Sequence, residues 1–241
     1  MSSECLVELK DVWKKYPYKQ MFHRSIREDI VNVLKPKNNL DLKDNEFWAL
    51  KSVNLQLLRG KCVCFFGPNG AGKTTILKLI ASVTYPTIGE VEVKERVAPL
   101  IEVGAGFHPD LTGRENVYVN GTIIGMHIKE IKEKMADIIA FSELEKFIDM
   151  PVKKYSSGMY LKLGFSIAVH SASEIILFDE ILSVSDELFQ KKCVGKIKEL
   201  KAQGKTMVLV SHNKALLNEI GDQFVLIKNN TATYVNTVYE Y

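Results

Sequence analysis

CVCFFGPNGAGKTTILKLIAS, residues 62–82, decides how this chain is read. The apolar run Cys62 to Phe66 fits a strand buried on both faces, and the run TTILKLIAS has the spacing of a helix. Between them GPNGAGKTT, Gly67 to Thr75, matches the pattern G-x-x-x-x-G-K-[ST], in the strand–turn–helix setting that the pattern requires. Gly67, Gly70 and Gly72 let successive backbone N–H groups turn inward around phosphate oxygens. The helix N-terminus adds its positive end, Lys73 reaches the outer phosphates, and Thr74 offers a hydroxyl to Mg²⁺. Pro68, Asn69, Ala71 and Thr75 complete the phosphate-binding stretch.

A loop of this kind needs carboxylates to complete a hydrolytic site, and EIILFDE, Glu174 to Glu180, supplies them. Its apolar run reads as a second strand buried on both faces, delivering Asp179 and Glu180 to the carboxyl end, where open α/β sheets bind ligands. Asp179 is placed to hold the Mg²⁺ shell and Glu180 to polarise an attacking water. VLVSHN, Val208 to Asn213, is a third apolar strand with a polar end, so His212 arrives at the same edge, in reach of a γ-phosphate. His23, His108, His127 and His170 have no such setting and read as structural.

Further strands are expected near Leu6 to Val12, Val53 to Leu58, Gly89 to Val93 and Gln223 to Ile227. Helices are expected over 73–82, from the capping box Thr112-x-x-Glu115 toward Ile124, over Lys129 to Phe141, from a Ser156 or Ser157 cap to His170, and over Asp186 to Ala202. Strands first, then alternating strand and helix, give an α/β fold with a parallel core sheet and an N-terminal antiparallel β layer. Between the first two strands, residues 19–47 read as an insertion. In it Phe22, Ile26, Ile30, Val33 and Leu34 recur at helical spacing, either to patch the domain's own surface or to meet a membrane partner or lipid-linked substrate.

Length and composition bound the rest. The 241 residues suit a single domain with one nucleotide site. No apolar run approaches the roughly 18 to 20 residues of a spanning helix, and the start MSSECLVELKD lacks the features of a secretory signal, so a cytoplasmic chain is expected. A net charge of +3 is too mild to make nucleic acid the expected partner. Cys5, Cys62, Cys64 and Cys193 have no metal-ligand spacing and read as small core residues.

Together these motifs resemble the ATP-binding cassette (ABC) ATPases, P-loop NTPases with a helical subdomain, here about 105–172. The resemblance covers nearly the whole chain. It places YSSGM at the family's signature loop, so Ser156, Ser157, Gly158 and Met159 would close over the γ-phosphate held by the phosphate loop of a second cassette. A homodimer with two composite ATP sites follows. The resemblance also implies that Tyr16 stacks on adenine, with Tyr18 as the alternative, and that Asp186 in SVSDELF links the two cassettes. Where most cassettes carry a glutamine joining Mg²⁺ to the coupling surface, this chain reads PLIEVGAGFHPDLTGREN; the nearest candidate is Glu102, a carboxylate that could face the metal or its waters.

That segment, with FWALKSVNLQLLRG before the phosphate loop and DEILSVSDELFQKKC after the carboxylates, resembles the ATPase subunits of bacterial exporters of O-antigen, capsule and teichoic-acid polysaccharides. The expectation is an ATP- and Mg²⁺-dependent ATPase, two copies bound beneath two copies of a membrane-spanning permease at the cytoplasmic face of the inner membrane. Its cargo would be a lipid-linked polysaccharide. A cassette for another substrate class would share this ATP chemistry. A soluble cassette serving DNA repair or cofactor assembly is the rival outside transport; for DNA repair, a coiled-coil insertion and a basic stripe are missing.

Overall fold

A computed structural model of the chain describes residues 4–18, 41–101, 106–180 and 187–239. Among these, β1 (Cys5–Pro17), β2 (Glu46–Leu58) and β4 (Ile88–Val93) form an antiparallel sheet in the order β2-β1-β4. A second sheet holds β3 (Cys62–Phe66), β5 (Val97–Leu100), β6 (Ile175–Asp179), β7 (Thr206–Val210), β8 (Gln223–Lys228) and β9 (Thr231–Val235). Its order is β5-β6-β7-β3-β8-β9, parallel except for β9, which runs antiparallel to β8. The helices are α1 (Lys73–Ile80), α2 (Gly113–Ile123), α3 (Ile128–Ser142), α4 (Ser157–His170), α5 (Glu187–Ala202) and α6 (Lys214–Ile220). None of the described helices is long and apolar enough to cross a membrane.

The period of two along the central strands divides the interior into two cores. Cys62, Cys64, Phe66, Ile176, Phe178, Met207 and Leu209 face one side, where they pack with residues of α2 to α6. Val63, Phe65, Ile175, Leu177, Val208 and Val210 face the other, against Ile76, Leu77, Leu79 and Ile80 of α1 and the inner face of β1 and β2. Strands buried on both faces cannot alternate polar with apolar, which is why they stand out as continuous apolar runs. Cys62, Cys64 and Cys193 are fully buried free thiols, and burial pushes Cys193 up to about 12.

The capping box is built as the sequence dictates. The Thr112 hydroxyl accepts from the Glu115 N–H at 3.2 Å, and the Glu115 carboxylate accepts from the Thr112 N–H at 2.8 Å, opening α2. The outer elements differ from expectation. β1 runs on to Pro17 and β2 begins at Glu46, paired through irregular register where charged residues interrupt the alternation. β5 and β9 are additional strands and α6 an additional helix. Pro99 lies in β5, on the sheet edge, where its missing N–H costs least. β9 is reached through Asn229 and Asn230, both at positive φ, the two-residue turn that suits a twisted hairpin. The apolar residues at 22–34 lie outside the described residues.

Candidate active site

The phosphate loop leaves β3 in the middle of the parallel sheet, between β7 and β8. Two of its glycines are required by space as well as by conformation. Gly67 has φ +139°, and a Cβ there would lie 2.0 Å from the Ile227 carbonyl oxygen of β8. Gly72, with φ +108°, caps α1, and a Cβ there would meet the Leu50 side chain at 2.7 Å and the Ala49 carbonyl oxygen at 2.8 Å. The loop is thus wedged between β8 and β2. Lys73 opens α1, is only 6% exposed, and donates to the carbonyls of Gly67 (2.9 Å) and Pro68 (3.0 Å). A buried ammonium so held stands ready beside the N-terminus of an eight-residue helix, a setting that favours anions.

The carboxyl ends of β6 and β7 supply the other groups. The Thr74 hydroxyl donates to Asp179 Oδ2 at 2.9 Å, across 105 residues of chain. A hydroxyl and a carboxylate side by side are hard oxygen donors, and they fit Mg²⁺. Glu180 follows directly: its N–H continues the pairing with the Val210 carbonyl (3.0 Å), but its φ of +49° turns the chain and sends the side chain out of the sheet. There its carboxylate meets His212 Nε2 at 2.9 Å. Asn213 holds the histidine's backbone by capping α6, its side chain accepting from the Leu216 N–H, while its own N–H donates to the Ser211 hydroxyl.

Lys73, Thr74, Asp179 and Glu180 share a cleft of about 600 Å³ with Tyr16, Phe47, Ala49, Asn69, Gly70, Gly72 and Thr75, whereas His212 does not line it. A smaller cavity of about 320 Å³, lined by Glu180, Gln190, Val194, Ser211, His212, Asn213 and Leu216, adjoins it through Glu180. Tyr16 lines the cleft, whereas Tyr18 does not and is 68% exposed. Ser156 caps α4 by accepting from the Met159 N–H (3.2 Å) and is exposed with Ser157; neither they nor Gly158 and Met159 line the cleft of their own chain. Glu102 and Asp186 lie outside the described residues. His170 is tucked against Phe141 with its ring nitrogen on the Ser166 carbonyl, and burial holds its pKa below the usual histidine value.

Phe47 and Ala49 are cleft residues that sequence reasoning missed. Phe47 carries a signal only through pairing, as the cross-strand partner of Tyr16, and pairing is invisible until β1 and β2 are in register. Gln190, Val194 and Leu216, in the second cavity, have helical core spacing and no chemical signature.

A family model described as ABC transporter matches residues 50–183. The chain is 42% identical over 227 residues to the O-antigen export system ATP-binding protein RfbB of Klebsiella pneumoniae, covering 94% of this chain and 91% of that protein. It is 51% identical over 164 residues to the RfbB protein of Myxococcus xanthus, covering 68% of this chain and 38% of that protein. With the teichoic acids export ATP-binding protein TagH of Enterococcus faecalis the identity is 47% over 177 residues, covering 73% of this chain and 39% of that protein. The chain therefore spans nearly all of the first relative and less than half of the other two. Its fold is similar to a dimeric ATP-binding cassette solved in a post-hydrolysis state with ADP and Pi, with a TM-score of 0.74, 23% identity, and coverage of 95% of this chain and 98% of that one. It is similar also to the ATP-binding subunit of an ABC transporter, with a TM-score of 0.76, 20% identity, and coverage of 98% and 91%. This chain belongs to the ABC transporter family, as an ATP-binding cassette that hydrolyses ATP.

Proposed function

We propose that the chain is the ATP-hydrolysing subunit of a bacterial exporter that moves a lipid-linked polysaccharide, of O-antigen, capsule or teichoic acid type, across the cytoplasmic membrane. The observation that carries this reading is the 42% identity to an O-antigen export cassette along nearly the whole chain. Two copies act as a homodimer at the cytoplasmic face, held to the membrane by two copies of a permease. ATP prefers the closed dimer and so drives closure, and its loss on hydrolysis reopens it.

Each site residue has a part in that cycle. Lys73 and the backbone N–H groups of the loop, Pro68 having none, offset the phosphate charge in a site set before the reaction begins. Thr74 and Asp179 hold Mg²⁺, which when bound neutralises charge gathering on the phosphate oxygens. Glu180 accepts a proton from the attacking water, oriented by His212, which also donates to the γ-phosphate. Tyr16 stacks on the base. Ser156 and Ser157, exposed at the N-terminus of the 14-residue α4, and the half-buried Gly158 close over the nucleotide of the other copy. Asp186 is assigned the coupling of the two copies, and Glu102, standing where most cassettes carry a glutamine, is the candidate to serve the metal or its waters. The helices between about 105 and 172 form the subdomain that carries the signature loop.

Gentle purification of the chain from its native membranes, followed by mass identification of what accompanies it, tests the export assignment. A multi-spanning permease in matching stoichiometry is expected. A soluble complex lacking any membrane protein contradicts export while leaving the ATP chemistry in place.

A further inference from the structure

β1 and β2 run past the phosphate loop and end on an aromatic pair. Tyr16 and Phe47 are partners in register, with ring centroids 6.3 Å apart and planes inclined at 41°. Partners across an antiparallel pair share one face of the sheet, and here both rings line the phosphate-loop cleft. Tyr18 packs on Phe47 at 5.1 Å and stays outside that lining. The ammonium of Lys14 lies 5.0 Å over the Tyr16 ring while donating to the Tyr85 carbonyl at 2.6 Å, so a cation covers one face of Tyr16. Phe47 supplies a second π surface to the cleft, and Ala49, two residues on, leaves space beside it.

β2 also fixes how far this surface stands from the phosphates. The Leu50 side chain and the Ala49 carbonyl are the groups that leave no room for a Cβ at Gly72, and the Ala49 carbonyl is tied to the β8–β9 turn by the side-chain amide of Asn230 at 3.2 Å. One strand therefore carries Phe47 and buttresses the phosphate loop. A nucleotide with its phosphates on Lys73 meets an aromatic platform held at a set distance.

We infer that Phe47 is a base-contacting residue of this site: it holds the purine together with Tyr16 and favours purine over pyrimidine triphosphates. The inference rests on the nucleotide reading of the phosphate loop. Neither Phe47 nor Ala49 carries a side-chain hydrogen-bonding group, so selection at this end works through π area, which is larger for a purine.

Calorimetric binding of ATP, CTP and inorganic tripolyphosphate to the full chain tests it. Phe47→Ala should weaken ATP roughly ten-fold, the scale of losing one base-stacking aromatic, and Phe47→Tyr should restore it. CTP should lose less, narrowing the preference for ATP, while tripolyphosphate binds wild type and Phe47→Ala alike. Unchanged ATP affinity in Phe47→Ala would overturn the inference. Loss of tripolyphosphate binding in both Phe47→Ala and the milder Phe47→Leu would also overturn it, because Phe47 would then be holding the loop rather than the base. A wild-type chain that bound neither ATP nor tripolyphosphate would refute the nucleotide reading and this inference with it.

Discussion

Glu180 and His212 meet at 2.9 Å, joining the ends of β6 and β7 across the sheet edge. The contact depends on the left-handed backbone of Glu180, at φ +49°, a conformation that costs on the order of 1 kcal/mol or more for a non-glycine residue. A strand continuing straight would return this side chain to the sheet face. Both side chains remain partly open to solvent, so an incoming phosphate and water can reach them. Removing the imidazole takes away a contact that orients Glu180 toward the site. His212→Ala is expected to lower kcat by roughly 10²-fold or more while ATP affinity changes little, a split that steady-state turnover and equilibrium binding read separately.

The Thr74–Asp179 bond underlies the proposed Mg²⁺ site. If these two oxygens hold Mg²⁺, Asp179→Asn should bind ATP equally with Mg²⁺ and with excess chelator, whereas wild type binds more tightly with Mg²⁺. Calorimetry under the two conditions decides it; a metal-dependent gain that survives in the variant contradicts the assignment.

Two glycine substitutions should move stability in opposite directions. At Gly67 a methyl group would strike the Ile227 carbonyl in a backbone conformation unsuited to alanine, so Gly67→Ala should destabilise by on the order of 3 kcal/mol. At Gly195, inside α5, an added Cβ meets nothing within 4 Å, and Gly195→Ala should stabilise by about 1 kcal/mol, raising Tm by a few degrees. Thermal unfolding of both variants checks the pair.

Glu143 links three helices and should leave a pH signature. It ends α3 at φ +60° and binds Lys162 of α4 (2.7 Å) and Lys192 of α5 (3.3 Å). The hydrogen bond from Lys162, opposed by burial and aided by Lys192, holds its carboxyl below the usual carboxylate range. A depressed folded-state pKa contributes stability that is present above the unfolded value, about 4.3, and is lost as pH falls through the folded value. Glu143→Gln should therefore melt below wild type at pH 7, with the gap closing below about pH 4. A gap independent of pH would contradict the ionic role.

What the sequence disclosed and what it hid follow from the same physics. β3, β6 and β7 are buried on both faces and declare themselves as apolar runs. Their polar ends, Gly67, Asp179 with Glu180, and Ser211 with His212, then fall on one sheet edge by topology. β9 was hidden because its strand is polar and mostly solvent-facing, and β5 because four residues with a proline carry little pattern. Phe47 joins the cleft only through pairing with Tyr16 across an irregular register, a non-local relation that periodicity does not encode. The signature loop was legible by resemblance alone: within one chain Ser156 is simply a helix cap, and its proposed partner belongs to another copy.

ATP turnover and solution mass of Glu180→Gln with ATP and Mg²⁺ test the hydrolytic role of Glu180 most directly. Retained ATP binding, loss of hydrolysis and accumulation of a dimer are expected, because the closed state forms and cannot reopen. Near-normal turnover in that variant would contradict that role.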